Sequence, residues 1–267
     1  MKRLSFKALG QLLVAALFLL PLVWMASAAL YPAGAALPQS LRLIPADGTL
    51  ANFGRIWRIV PLARFTANSL LTVAIAVPLT LVSGSWAGLA MARLPRRAQQ
   101  RWVVISLAVL MVPSIALWST RFFVFRELGL LDSVWALAAP AIMGASPFYV
   151  LMFYRAFRRI PRAIFEAALL DGAGMLQTWL LVAMPMARAT TIGVAVLSFV
   201  FFWGDFISPL LYLQSERLYT LPVALQLLQQ LNPSDWGVLM AAAVWATLVP
   251  VLLFMLAQPW LTRSARD

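Results

Sequence analysis

The chain has 267 residues, of which 63% are hydrophobic and 11% are charged, whereas an ordinary soluble domain carries about 25% charged residues. This composition excludes an ordinary soluble domain and indicates a membrane protein. Its 21 Lys and Arg residues outnumber 9 Asp and Glu residues, for a formal net charge of +12. Because the basic residues form short clusters between apolar runs, as in the cytoplasmic loops of membrane proteins, they do not indicate nucleic-acid binding.

The sequence contains neither Cys nor His, which excludes a disulfide framework, a Cys nucleophile and a Ser-His-Asp triad. Lysine occurs only at Lys2 and Lys7, and neither lies in a P-loop motif. We therefore expect a chain that is not an enzyme and that binds no metal or cofactor itself. If ATP drives the protein, another subunit hydrolyses it.

The first apolar run, Leu9–Leu30, follows Lys2, Arg3 and Lys7 and is long enough to cross about 30 Å of hydrocarbon as a helix. A cleaved signal peptide is the alternative, because residues 26–28 have the Ala-x-Ala form that signal peptidase accepts. The run exceeds the usual apolar region of a signal peptide, about 7 to 15 residues, so a retained span is favoured.

Residues 31–62 are rich in proline and are predicted to be an external segment. Within it, apolar residues between Leu50 and Val60 share one helical face, with Arg55 and Arg58 opposite. This pattern predicts a short helix that lies either in the membrane interface or against the next span, and the sequence favours neither.

Further apolar runs predict five more transmembrane helices, at Phe65–Ala92, Trp102–Phe123, Val134–Phe153, Ala189–Leu211 and Gly237–Trp260. Pro78 is expected to interrupt the second span, while Gly84 and Gly88 let another helix approach closely. The third span contains Pro113. The fourth contains Pro140, Gly144 and Pro147, which predict a kinked or broken helix.

Clusters of arginine set the predicted orientation, because basic residues favour the cytoplasmic side. With six spans and both termini in the cytoplasm, fourteen of the 21 Lys and Arg residues lie inside. The predicted fold is therefore an all-α, polytopic membrane protein. We divide it into residues 1–62, the first helix and external segment, and residues 63–267, a five-helix core.

The longest polar interruption in the C-terminal half, residues 155–185, is predicted to be cytoplasmic because it is rich in arginine. Pro161 suits the start of a helix, and Asp171-Gly172 suits its end. A short helix of about ten residues is therefore expected here. The small residues beside Glu166 make its surface narrow, which suits insertion into a groove.

The spacing of Glu166-Ala167-Ala168, Asp171-Gly172-Ala173 and Pro185 resembles the EAA loop of the inner-membrane permease subunits of bacterial ABC importers. The flanking sequence is similar to the carbohydrate importers of the maltose-transporter type. Its matching positions are Asn68-Ser69, Met91-Ala92-Arg93, residues 128–133, Trp203-Gly204-Asp205-Phe206 with Pro209, Thr220-Leu221-Pro222, and Trp236-Gly237 with Met240-Ala241-Ala242.

The resemblance implies a multi-pass protein of the bacterial plasma membrane with the type I ABC importer permease architecture. It implies a second, homologous permease subunit, two ATPase subunits that bind ATP and Mg, and an external solute-binding protein that delivers a sugar. The loop at about residues 155–188 would couple the permease to an ATPase through Glu166, Ala167, Ala168, Asp171, Gly172, Ala173 and Pro185.

Asp205 lies in an apolar and aromatic part of the fifth predicted span, where an ionisable group is costly and is expected to face protein or water. With Trp203 and Phe206 it is the candidate for the substrate path or for gating; helix pairing is the alternative. By the resemblance, Gly204 stands where the family usually has asparagine.

Other functions remain open from the sequence. An ABC permease for a polyamine, a peptide or an anion such as a glycerol phosphate is the nearest alternative. An ion-coupled secondary transporter would normally carry ionisable residues in several spans, whereas Asp205 stands nearly alone. A membrane-embedded enzyme would have only carboxylates available for its chemistry.

Overall fold

The computed structural model describes residues 6–34, 45, 47–142 and 146–263. Lys2, Arg3 and Gly144, which were named above for the orientation and for the fourth span, lie outside these ranges. Within them every regular element is a helix, which confirms the predicted all-α class.

The helices are bounded as follows. In the N-terminal part they are α1 (Phe6–Ala28), α2 (Ala51–Ile59), α3 (Leu62–Arg93), α4 (Arg96–Leu110) and α5 (Ser114–Glu127). The middle contains α6 (Val134–Ala138), α7 (Pro147–Phe157), α8 (Arg162–Leu170) and α9 (Met175–Met186), which includes a π-helical turn at Thr178–Ala183. The last four are α10 (Arg188–Trp203), α11 (Ile207–Tyr212), α12 (Leu221–Leu231) and α13 (Trp236–Arg263).

Three segments of the described chain are single helices long and apolar enough to cross a membrane: Gly10–Ala28, Leu62–Arg93 and Trp236–Pro259. They correspond to the predicted first, second and last spans. The expected interruption at Pro78 is wrong, because α3 continues through it. Transmembrane helices tolerate an internal proline where neighbouring groups and local adjustments satisfy the freed carbonyl.

Two pairs of helices are sharply bent: one lies within the third predicted span, and the other joins the end of the predicted polar stretch to the fifth predicted span. α4 and α5 meet at 90° beside Pro113, and α9 and α10 meet at 86° at Ala187. Counting each pair as one crossing gives up to five crossings in the described residues, so the six-span count stays a prediction. The fifth span was also predicted too long, because α10 ends at Trp203 and a break precedes α11.

The fourth predicted span is broken, as its prolines indicate. α6 passes into a 3-10 turn at Ala139–Ala141, and α7 begins with Pro147 at its first position. Proline suits that position because its missing N–H would have no helical partner there.

Residue contacts divide the chain into two compact units, and the predicted division at residue 62 stays a prediction. The first unit comprises Met1–Thr66 and Leu221–Val251. In it the buried Asn52 side chain on α2 donates to the carbonyls of Ala29 and Tyr31, at 2.8 and 2.7 Å. α2 is therefore tied to the segment that follows α1, while its placement in the membrane interface or against the next span stays a prediction.

The second unit comprises Ala67–Thr220 and Leu252–Asp267. Here the predicted close approach at Gly88 is confirmed, since a Cβ there would lie 2.7 Å from the Phe153 Cβ and 2.8 Å from the Tyr154 nitrogen. α7 thus packs directly on α3. Thr220 lies immediately before α12, but its buried Oγ1 has no hydrogen-bond partner in the described chain, so it does not cap that helix through its side chain.

The core of the second unit joins α3, α7, α9 and α10. Its buried members are Leu89, Tyr149, Phe153, Phe157, Ile160, Ala183, Ala187 and Val194. Ile164 and Phe165 of α8 and Trp179 of α9 pack against it. The polar stretch near residue 166 therefore rests on the same core as the helices around it.

Candidate functional site

The short helix predicted around Glu166 is α8, which has nine residues. Pro161 lies immediately before its first residue, with the extended conformation φ −57° and ψ 138°, so it precedes the first turn instead of occupying it. Ile164 and Phe165 face the core, and Ala168 is buried. One face of α8 is thereby fixed to the second unit, and the other is left free.

The end of α8 is closed by backbone hydrogen bonds. The Gly172 N–H donates to the Leu169 carbonyl at 3.1 Å, and the Ala173 N–H donates to the Ala168 carbonyl at 2.9 Å. This pair of bonds is the Schellman arrangement, which needs a left-handed residue after the last turn. Gly172 supplies it with φ +81°, so the predicted stop is confirmed and Asp171 is the last residue before the turn.

The free face of α8 carries Glu166 and Ala167, both exposed. Apolar residues at and after its C-terminus are exposed as well: Leu170 is 90% exposed, and Leu169, Met175 and Leu176 are also exposed. We call these four residues the α8 tip. Contiguous exposed apolar side chains are typical of a surface that binds another molecule.

α9 packs against α8, and it contains the last residue of the motif, Pro185. The Trp179 Nε1 donates to Ser85 Oγ at 3.0 Å, and its ring meets Trp86 edge to face at 5.7 Å. Pro185, expected in a loop, is exposed in the last turn of α9. The polar interruption is therefore shorter than predicted, because Met175–Met186 is helical.

A cavity of about 460 Å³ lies between α8 and the turn that joins α3 to α4. Four arginines line it, Arg93, Arg96, Arg158 and Arg162, together with Glu166. From the sequence, these arginines indicate only which loops lie on the cytoplasmic side of the membrane. They belong to two segments more than 50 residues apart, so no local pattern reveals that they share a cavity.

Buried polar groups hold the wall of this cavity. The Gln99 side chain, 5% exposed, donates to the carbonyls of Ala92 and Leu94 at 3.0 and 2.8 Å. Its Oε1 accepts a hydrogen bond from the Tyr154 hydroxyl at 3.0 Å, and that hydroxyl accepts one from Arg158 Nη1 at 3.3 Å. The α3–α4 turn and the end of α7 are therefore tied together.

Asp205, Trp203 and Phe206 lie in the break between α10 and α11. The half-buried Asp205 accepts a hydrogen bond through Oδ1 from the Ser208 N–H at 3.1 Å, as a residue that caps a helix does. Trp203 is buried and stacks on Phe199 at 5.6 Å, while Phe206 is half-buried. The Ser208 N–H is therefore a structural partner of Asp205, and the sequence did not predict it.

Comparisons with known proteins show the family and the fold. Residues 84–267 match the family described as binding-protein-dependent transport system inner membrane component. The chain is 30% identical to the sulfoquinovosyl glycerol transport system permease protein of Agrobacterium fabrum, covering 95% of this chain and 88% of that protein. It is 29% identical to the trehalose transport system permease protein of Mycobacterium tuberculosis, covering 96% and 93% of the two chains.

A third relative is the diacetylchitobiose uptake system permease protein of Streptomyces coelicolor, at 29% identity over 88% of this chain and 78% of that protein. Among solved structures, a bacterial ABC transporter involved in the import of the acidic polysaccharide alginate has a similar chain. The TM-score is 0.75 at 20% identity, and the match covers 95% of this chain and 94% of that one. At this identity the likeness shows the fold.

Proposed function

Because the chain belongs to the binding-protein-dependent transport system inner membrane component family, we propose that it is the permease subunit of an ATP-driven ABC importer for a sugar or oligosaccharide. The substrate class is supported by relatives named for sulfoquinovosyl glycerol, trehalose and diacetylchitobiose. Permeases for a polyamine, a peptide or a glycerol phosphate remain the second choice, since no described contact selects the solute.

The observation that carries the proposal is the exposed face of α8. A short, capped helix stands on the core of the second unit while Glu166 and the α8 tip are exposed. We propose that this face sits in a cleft of a partner ATPase, which binds ATP and Mg. Closure of the ATPase pair then moves α8 and the core beneath it together, and the pathway changes from inward-facing to outward-facing.

Each residue of the motif has a distinct part in this coupling. Glu166 accepts charge-assisted hydrogen bonds from the ATPase. Ala167 keeps the exposed face narrow, and the buried Ala168 lets α8 lie close to its support. Asp171, Gly172 and Ala173 end the helix at a fixed angle, and Pro185 lies in the helix that carries the motion onward.

The proposed topology has six crossings, with α6 and α7 forming a broken one, and both termini in the cytoplasm of a bacterial inner membrane. The arginine-rich turns around α8 support this orientation. A second, homologous permease subunit completes the pathway, and an external solute-binding protein delivers the sugar. The family's description as binding-protein-dependent supports the solute-binding protein. The alginate transporter, which has a similar fold, was solved in complex with a periplasmic protein.

The break between α10 and α11 is the proposed gating element. Asp205, Trp203 and Phe206 occupy it, and a helix break is a place where a transmembrane segment can bend without loss of many hydrogen bonds. Capping of α11 by Asp205 is the structural alternative, and the two roles are separable by substitution.

The coupling role is tested on the assembled complex with Glu166→Ala and Leu170→Asp. Both residues are exposed, so folding is expected to survive, while sugar uptake and sugar-stimulated ATP hydrolysis fall together by about tenfold or more. Glu127→Ala is the control, because Glu127 is also an exposed glutamate and is the last residue of α5. Full uptake and full stimulation in both α8 variants would refute the role.

A further inference from the structure

The arginine-lined cavity beside α8 carries more positive charge than its surroundings neutralise. Arg93, Arg96, Arg158 and Arg162 face it with Glu166 as the one lining carboxylate. Within the described residues, the ion pairs at 4.0 Å or less are Arg55–Asp235 and Arg126–Glu127, and neither involves these arginines. Grouped guanidinium groups without carboxylate partners are typical of sites for phosphate esters.

Two of the four arginines that line the cavity have partners that position them before any ligand arrives. The Arg93 guanidinium lies over the Phe165 ring at 4.6 Å, and Arg158 is tied to the Tyr154 hydroxyl, which donates to Gln99. A site whose donors are already positioned loses less conformational entropy on binding. All four arginines are exposed, and these contacts distinguish Arg93 and Arg158 from unrestrained surface arginines.

Size and lining indicate which phosphate ester fits. About 460 Å³ is within the range of small-molecule sites and is larger than a phosphate ion needs. The walls combine arginines with the apolar side chains of Leu89, Phe157, Ile160 and Leu169. A ligand with a charged head and an adjoining apolar part matches such walls, and an anionic phospholipid is that kind of molecule.

We infer that this cavity binds the phosphate headgroup of an anionic phospholipid from the inner leaflet, and that the bound lipid sets the position of α8. The inference rests on the proposed function for its orientation, which places these arginines at the cytoplasmic surface, where basic pockets between helices bind such headgroups. Because Phe165 and Glu166 belong both to α8 and to the cavity wall, occupancy stabilises the helix that contacts the ATPase.

The test compares two double variants of the full-length complex. Arg96→Gln with Arg158→Gln removes two charges from the cavity wall. Arg97→Gln with Arg159→Gln removes two charges from the next positions, which are exposed and do not line the cavity. Both complexes are reconstituted in phosphatidylcholine vesicles with or without about a quarter phosphatidylglycerol, and retained phosphatidylglycerol is counted by native mass spectrometry.

Wild type and the Arg97/Arg159 variant are expected to retain phosphatidylglycerol, and the Arg96/Arg158 variant to lose about tenfold or more of that retention. Phosphatidylglycerol should also raise sugar-stimulated ATP hydrolysis in the first two and not in the third. Inorganic phosphate and glycerol 3-phosphate, added to the vesicles without phosphatidylglycerol, should not reproduce this rise.

Equal retention by the two double variants would overturn the inference. A rise in hydrolysis with soluble phosphate alone would assign the cavity to a free anion and overturn the lipid source. Loss of the ATPase subunits from the Arg96/Arg158 variant, with its lipid count unchanged, would assign the arginines to the subunit interface. Lipid retention is measured whether or not an ATPase assembles. Failure of the proposed function would therefore abolish sugar-stimulated hydrolysis without changing the lipid count, whereas failure of this inference would remove the difference in lipid count between the two double variants.

Discussion

The guanidinium of Arg93 lies 4.6 Å from the centroid of the Phe165 ring, so the last residue of α3 is joined directly to the middle of α8. A cation over an aromatic face contributes about 0.5–1 kcal/mol at an exposed site. This contact links a helix long enough to cross the membrane to the helix that we propose binds the ATPase.

The Arg93–Phe165 contact is measurable by a double-mutant cycle with Arg93→Gln and Phe165→Leu. Because leucine keeps most of the apolar volume but lacks the ring, we expect a coupling of about 0.5–1 kcal/mol in the unfolding of the purified chain. A second cycle, with Arg97→Gln in place of Arg93→Gln, is the control and should show no coupling. Equal coupling in the two cycles would contradict the assignment.

Gly172→Ala is expected to weaken the end of α8, since alanine at φ +81° adopts a left-handed conformation at a cost of about 1–2 kcal/mol. Space is not the cause, because no atom lies within 4 Å of an added Cβ. Gly172→Asn should cost less, as asparagine tolerates this conformation. Thermal unfolding and sugar-stimulated ATP hydrolysis of the complex measure both effects.

Gly174→Ala is the matched control for the Gly172 series. Gly174 has φ −69°, and an added Cβ would meet Gln177 Oε1 at an ordinary 3.8 Å. We expect stability and hydrolysis close to wild type. A loss equal to that of Gly172→Ala would show that any side chain here is harmful and that backbone conformation is not the reason.

Gly88→Ala and Gly84→Ala form a pair on one helix. A Cβ at Gly88 would lie 2.7 Å from the Phe153 Cβ, whereas one at Gly84 would meet Phe153 and Tyr149 at 3.7 Å. Overpacking costs about 1–3 kcal/mol, so we expect Gly88→Ala to lower the melting temperature of the purified protein and Gly84→Ala to leave it nearly unchanged. The reverse order would show that α7 does not pack on α3 in this way.

Asp132 anchors the loop after α5 to the segment after α11. Its carboxylate accepts hydrogen bonds from the Ser215 hydroxyl, the Ser215 N–H and the Gln214 N–H. The Ser215 hydroxyl, then the Ser215 and Gln214 amides, lower the pKa of Asp132 below its ordinary 3.8. Since the folded pKa is lowered, the stabilisation is present above about pH 3.8 and is lost as the pH falls through the folded value.

Thermal unfolding of wild type and Asp132→Asn between pH 7 and pH 3 tests whether the stabilisation by Asp132 is lost as the pH falls. The difference in stability between wild type and variant should be constant near neutral pH and shrink only below about pH 3.8. Ser215→Ala removes the largest cause of the lowered pKa, so its acid-dependent loss of stability should begin at about the same pH as in wild type, be smaller, and level off at a higher pH. If the difference in stability between wild type and Asp132→Asn grew as the pH fell, the anchoring role of the Asp132 carboxylate would be wrong.

Substitutions of Asp205 separate capping from a role in the substrate path. If capping of α11 is its role, Asp205→Asn keeps an oxygen acceptor for the Ser208 N–H and should preserve sugar uptake. Asp205→Ala loses the cap and should lower stability by about 1 kcal/mol. Loss of uptake in Asp205→Asn at unchanged stability would instead assign the charge to gating or to the substrate.

Local chemistry explains what the sequence predicts well. Asp171-Gly172 ends α8 because glycine adopts a left-handed conformation readily, and this depends on no distant residue. The two prolines in the second and third predicted spans show the limit of such reasoning. Pro78 lies within a continuous helix, while α4 and α5 meet at 90° beside Pro113, and only packing against other helices distinguishes them.

The cavity could not be predicted for a similar reason. Arg93 and Arg96 come from the α3–α4 turn, and Arg158 and Arg162 from the approach to α8. The arginine pattern predicts that both clusters lie on one side of the membrane, but it does not predict that they are in contact. Their meeting depends on the Gln99–Tyr154 hydrogen bond and on α7 lying against Gly88.

The bend at Pro113 also bears on how the chain enters the membrane during synthesis. α4 has 15 residues and α5 has 14, so each is roughly 22 Å long or less at 1.5 Å per residue, short of about 30 Å of hydrocarbon. Neither arm can be recognised alone as a complete crossing by the insertion machinery. Their placement depends on neighbouring helices, α7 for α4 and α11 for α5, and we expect a packing fault there to reduce membrane integration and to increase degradation of newly made protein.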